Sequence, residues 1–217
     1  MRRLLLLLFA TVLTGCSKTV LVEGVPNYYQ VDRCIRRSGQ PTTKAQWQTI
    51  WNDLEQSCPG RPHYVIKMNY DDEGSDDLAT SVGFIVIKHP IEPANDKDVF
   101  DNVLNTFVEP TDEQMQAIES DIDAHKDDGE IDHCSHGQDR TGIAEGEHRV
   151  LHDHWTKDQA YAEMVKLGFH GLGGQLPPLD GLNDKWDQFD PKTWPKSNTS
   201  LKKIRRPTDA GQAPPHP

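Results

Sequence analysis

The 217 residues carry 34 acidic against 23 basic side chains, a formal net charge of −11, together with 15 prolines, 16 glycines and four cysteines. An acidic surface of this kind argues against nucleic acid as a partner, so any basic character needed for an anionic ligand must be local. The length suits one domain of roughly 160 residues with extended ends.

The first 15 residues hold Arg2 and Arg3, an apolar run from Leu4 to Val12, and Leu13-Thr14-Gly15 before Cys16. This is a targeting segment, too short to span a bilayer. Its Leu-Thr-Gly-Cys ending resembles a bacterial lipobox. That implies cleavage before Cys16, lipid on the Cys16 sulfur, and an envelope location facing the periplasm or at the outer membrane. Removing residues 1–15 leaves 21 basic against 34 acidic residues, a net charge of −13. Cys34 and Cys58 would then lie where disulfides persist, and they bracket a predicted helix at a separation that could close a bridge.

Residues 16–30 read as a linker, with an entry strand toward its end. Thr42 or Thr43 can cap a helix running to about Ser57. His63 to Met68 is a buried strand, Ser75 to Val82 a short helix, and Phe84 to His89 a second strand. Pro110-Thr111-Asp112-Glu113 opens a helix to about His125. Glu130 to His133 is a short strand, followed by helices from Thr141 to about Trp155 and from Lys157 to Leu167. Strands alternating with helices predict an α/β fold with a central, mostly parallel sheet flanked by helices. Proline-rich residues 187–217 read as an extended tail.

The stretch with chemistry is His133-Cys134-Ser135-His136-Gly137-Gln138-Asp139-Arg140-Thr141-Gly142. A cysteine and an arginine five residues apart, with glycines between and after, can wrap backbone N–H groups around a phosphate-sized anion at a helix N-terminus. Arg140 adds a two-pronged donor, and the same field favours a Cys134 thiolate, the nucleophilic form. A zinc site around Cys134 is disfavoured, because no second ligand pair has the spacing to complete it and His148, His152 and His154 lie a helix away.

This motif resembles the signature loop of the protein tyrosine phosphatase superfamily, in its small dual-specificity and cysteine-phytase branches. The resemblance implies a tyrosine-phosphatase-like fold over residues 31–186 and a two-step, cofactor-free and metal-free hydrolysis through a cysteinyl-phosphate. It makes Cys134 the nucleophile, Arg140 the clamp on the phosphoryl oxygens, and Thr141 a hydrogen-bond donor to the departing sulfur. His133 would orient the loop. Ser135, His136, Gly137, Gln138 and Asp139 would line the substrate. The run Arg37-Ser38-Gly39-Gln40-Pro41 resembles the opening of small bacterial dual-specificity phosphatases, and Arg36 and Arg37 could contact a further phosphate.

The family's acid loop falls between the strand ending at His89 and the helix leading back to the signature strand. Glu92, Asp96, Asp98 and Asp101 are its candidates, Asp96 first because it precedes the resumed helical period. Asp139 is a fifth, since Asp-Arg-Thr also resembles the loop of myotubularin-like inositide phosphatases. Gln175 falls where some relatives place a water-positioning glutamine. The substrate implied is an inositol polyphosphate or inositide, with protein phosphotyrosine as alternative, and an inactive phosphate-binding lipoprotein as the reading of another class.

Overall fold

The computed structural model describes residues 22–92, 109–170 and 180–194. Side chains alternating along short strands are sorted between two helical layers. Val65 of β3 (His63–Lys67) and Ile131 of β5 (Gly129–His133) face one side. There they pack with Trp47, Ile50 and Leu54 of α1 (Lys44–Ser57) and Ala79 of α2 (Asp77–Val82). Ile35 of β2 (Ile35–Ser38) and Ile66 of β3 face the other side. They meet Met115, Ile118 and Ile122 of α3 (Asp112–His125), Ile143 and Ala144 of α4 (Asp139–Leu151), and Met164 of α5 (Lys157–Lys166).

The sheet runs β1-β2-β5-β3-β4, with β1 (Tyr29–Gln30) antiparallel to β2 and every other pair, out to β4 (Ile85–Lys88), parallel. The strand leading to Cys134 is therefore central, and all four parallel strands deliver their C-terminal ends to one edge. The helices start where the capping residues predict. Thr43 and Thr111 each accept a hydrogen bond from the backbone N–H three residues on, and Gln46 completes a capping box at α1.

The fold extends beyond the expected bounds at both ends. Within the segment read as a linker, Val22, Val25 and Tyr28 are buried against the α1 face, and β1 pairs with β2 as the entry strand. Within the segment read as a tail, α6 (Asp180–Gln188) continues into Phe189, which is buried, and Trp194, which packs against the same core. Prolines near the C-terminal end masked this aromatic anchor. Lys157 Nζ closes α6 by donating to the carbonyls of Trp186 and Phe189 at 2.6 and 2.8 Å. Cys34 and Cys58 form a disulfide across 24 residues, tying the start of β2 to the end of α1.

Among the described residues, no helix is long and apolar enough to cross a membrane. One face of β5 is unusual for an interior strand. Glu130 and Asp132 are fully buried beside Glu145 of α4. Burial pushes both carboxyls well above the ordinary range, helped by the charge of Glu145 on each and by that of Glu130 on Asp132.

Candidate active site

β5 ends at His133, whose carbonyl accepts the Met68 N–H at 2.9 Å, and Cys134 follows at the C-terminal edge of the parallel strands, where such sheets bind ligands. The chain turns back into α4 through Gly137, at φ +68°. A β-carbon there would collide with the Ser38 and Gly39 backbone, so glycine is required twice over, by conformation and by space. The loop is strapped from outside. Gln40 N–H donates to the Ser135 carbonyl at 3.1 Å, Asn27 Nδ2 to that of His136 at 2.9 Å, and Arg37 Nη2 to that of Gly137 at 2.7 Å.

Inside the loop, Cys134 Sγ accepts the Gly137 N–H at 3.2 Å. Arg140, in the first turn of α4, lies beside the sulfur and reaches across to Glu73 in a 3₁₀ turn (Asp71–Glu73) after β3. Nη1 and Nη2 donate to Glu73 Oε2 and Oε1 at 2.7 and 2.6 Å, a two-pronged clamp on one carboxylate. Ser135 Oγ donates to Oε1 at 2.9 Å and accepts from Arg140 Nη2 at 2.9 Å. Partial burial alone would raise the Glu73 carboxyl, but Arg140 outweighs it and holds it down at about 2. Burial would lower Arg140, and Glu73 with Cys134 instead lifts it above its ordinary value.

Beneath the loop, His133 Nε2 meets Asp76 Oδ2 at 3.0 Å, and Asp76 Oδ1 accepts Gln40 Nε2 at 2.6 Å. Burial opposes ionisation of Asp76, yet His133 and Gln40 overcome it and its carboxyl lies below the usual range. His133, the residue before Cys134, is thus held by Asp76 at the end of β5.

No protein-family model matches the sequence, and neither does any curated protein. Solved structures do match the fold. The core catalytic domain of PP-IP phosphatase SIW14 from S. cerevisiae, in complex with citrate, aligns over 76% of this chain and 86% of its own, at TM-score 0.54 and 16% identity. Tk-PTP in its active form aligns over 76% and 99%, at TM-score 0.50 and 16% identity. P. aeruginosa TpbA aligns over 75% and 91%, at TM-score 0.50 and 19% identity. The fold is tyrosine-phosphatase-like. At these identities the likeness concerns architecture, and the chemistry has to be argued from this chain's own side chains.

Within that tyrosine-phosphatase-like frame, Cys134, Ser135, Gly137 and Arg140 come together as expected. Gln138 packs over Gly168, where a β-carbon would sit 2.6 Å from its Nε2. His136 is exposed and offers its carbonyl to Asn27. The Thr141 hydroxyl is buried and has no hydrogen-bond partner among the described residues, the sulfur included, in this resting arrangement. Asp139 turns away to His170, accepting its backbone N–H at 3.0 Å and meeting its ring Nδ1 at 3.1 Å.

The two arginines expected to meet a further phosphate do not line the loop's mouth. The strand period sends Arg36 toward α1, where Nε binds Asp53 at 2.7 Å and Nη2 binds Ser57 at 2.6 Å. Arg37 goes to the opposite face and braces the loop from below through Gly137. Glu92 is exposed, one residue after Ile91, whose carbonyl accepts Arg140 Nη1 at 3.3 Å. The segment after β4 therefore begins beside the arginine, while Asp96, Asp98, Asp101 and Gln175 lie outside the described residues.

Glu73 and Asp76 are the site residues that sequence reading missed. The available clue was the acid run Asp71-Asp72-Glu73 directly after a strand that neighbours β5, hence at the same edge of the sheet.

Proposed function

We propose that this chain is a cysteine-dependent phosphomonoesterase working through a cysteinyl-phosphate. The observation that carries the reading is Arg140, which presents both terminal nitrogens to two oxygens of a single anion beside the Cys134 sulfur. A phosphoryl group offers the same pair of oxygens. In the first step the sulfur attacks phosphorus, the ester P–O bond breaks, and an acid from the segment after β4, Asp96 being the first candidate, protonates the leaving oxygen. In the second, water attacks the S–P bond's phosphorus, releasing phosphate and the thiolate. Arg140 holds the spreading negative charge in both.

Glu73 stands where substrate oxygens would bind and must yield to them or share the fork. On substrate, the loop resemblance and the name of the S. cerevisiae neighbour both point to inositol phosphates. The charge distribution narrows that class. Arg36 and Arg37 are engaged internally, Lys67 donates to Asp71 and the Gly74 carbonyl, and Lys88 pairs with Asp71. Each of these four cations is thus engaged within the protein, Lys67 and Lys88 sharing the one Asp71 carboxylate. This favours substrates with few phosphates, lightly phosphorylated inositides or phosphotyrosine, over highly charged polyphosphates.

The reading includes export. Residues 1–16 carry the lipobox-like pattern, and the Cys34–Cys58 disulfide fits an oxidising compartment. The test is phosphate release from a panel of inositol phosphates, phosphoinositides and phosphotyrosine peptides, with Cys134→Ser as control. Release by the native chain and none by the variant, which still binds substrate, is expected. Equal release by both would sink the reading, and binding without release by the native chain would mark an anion-binding lipoprotein instead.

A further inference from the structure

We propose that Glu119, His148 and His152 form a binding site for a divalent transition metal ion of the zinc class, separate from the cysteine loop. His148 and His152 stand one turn apart on the C-terminal end of α4 and share a face, while Glu119 comes from the facing turn of α3. One nitrogen or oxygen from each lies within 4.8 Å of the others. Glu119 Oε2 is 3.7 Å from His148 Nδ1 and 3.8 Å from His152 Nε2. These separations are too long for hydrogen bonds and slightly longer than the roughly 3.4 Å edge of a tetrahedron with metal–ligand bonds near 2.1 Å. Closing those two edges by a few tenths of an ångström, and drawing the two imidazole nitrogens, which lie within 4.8 Å, to the same spacing, would seat the ion.

The side chains are aimed but unsatisfied. Both Glu119 carboxylate oxygens and His148 Nδ1 are buried with no hydrogen-bond partner among the described residues, and Glu119 and His148 are only 4% and 2% exposed. Unpaired buried polar atoms of this kind are costly, and a cation would satisfy all three at once. His152 carries a further mark of a ligand. Its Nδ1 sits 3.2 Å from Asp123 Oδ1, so a proton there leaves the Nε2 lone pair directed at Glu119. A carboxylate behind a ligating imidazole is the usual supporting shell of such sites.

Two imidazoles and one carboxylate suit zinc and its neighbours, not the oxygen-seeking magnesium or calcium. The half-exposed side of His152 leaves room for water as the fourth ligand. His154, also noted in the sequence, is outside this set; it lies past the end of α4 in a positive-φ turn. From Arg140 to His148 is eight residues of helix, about 12 Å, so the ion would not touch the phosphoryl chemistry. Its effect would be to staple α3 to the helix whose first turn carries Arg140.

The test uses the full untagged chain, stripped with chelator and equilibrated with Zn2+, then with Co2+. One Zn2+ per chain is expected, together with a raised melting temperature and a Co2+ visible spectrum of tetrahedral intensity. His152→Gln, at a half-exposed position that the fold tolerates, should weaken zinc binding more than tenfold and abolish the zinc-dependent rise in melting temperature. Glu119→Gln should do likewise. No zinc retained by the native chain, or equal retention by native chain and both variants, overturns the proposal.

Discussion

Arg140 and Glu73 set the behaviour of the loop at the level of single side chains. The Glu73 carboxyl, held at about 2, is ionised throughout the working pH range, so its competition for the arginine fork persists on both sides of neutrality. Glu73→Gln removes that charge but keeps the side-chain size. Inorganic phosphate should then inhibit about tenfold more tightly, equivalent to about 1.4 kcal/mol. An unchanged or weaker inhibition constant would show that Glu73 aligns Arg140 instead of competing for it. Cys134 and Arg140 were legible in the sequence because they share one contiguous motif whose spacing closes a turn. Glu73 was not, since only the pairing of β3 with β5 brings it to the loop. Arg36 and Arg37 misled for a related reason: a strand bearing adjacent arginines lacks the apolar run that would mark it, and strand geometry sends the two to opposite faces.

At the scale of elements, local chemistry sets the helices and covalent chemistry secures one of them. Thr43 closes a capping box with Gln46 at α1, and Thr43→Ala should cost about 1 kcal/mol in denaturant unfolding. The disulfide from β2 to the end of α1 spans 24 residues. On the chain-entropy view, replacing both cysteines with serine should cost about 3 kcal/mol, and a loss below ~1 kcal/mol would mean the unfolded chain gains little freedom without it. Capping and periodicity made α1, α3 and α5 readable in advance. The end of the fold was not, because Phe189 and Trp194 are separated by Pro191 and give no helical period, although burial in the α4–α5 layer holds them in place. At Gly146 the helix layer itself is tight: a β-carbon there would lie 2.5 Å from Met164 Sδ, so Gly146→Val should loosen α4 from α5.

For the whole molecule, the buried acids decide how stability follows pH. Glu130 and Asp132 hold folded-state values raised by burial and by the nearby charge of Glu145, so each takes up a proton on folding. Their contribution is complete below the ordinary carboxyl range near pH 4 and is lost as pH rises through the raised values, at up to about 1.4 kcal/mol per pH unit per proton. Glu73 and Asp76 have the opposite sign, and what they contribute is lost as pH falls below the ordinary range. Melting temperature in chelator should therefore peak at mildly acidic pH and fall toward pH 8, with Glu130→Gln flattening the alkaline decline; a steady rise from pH 5 to 8 would contradict this. Nothing in the sequence announced these acids, since an alternating Glu-Ile-Asp-His strand reads equally well with its acidic face in water. The central claim remains that the Cys134 sulfur takes the phosphoryl group, and acid-quenched intact-mass spectrometry during turnover tests it directly. The native chain should carry one added HPO3, mapped to Cys134 and absent in Cys134→Ser. Turnover with no such adduct, and undiminished in the variant, would contradict it.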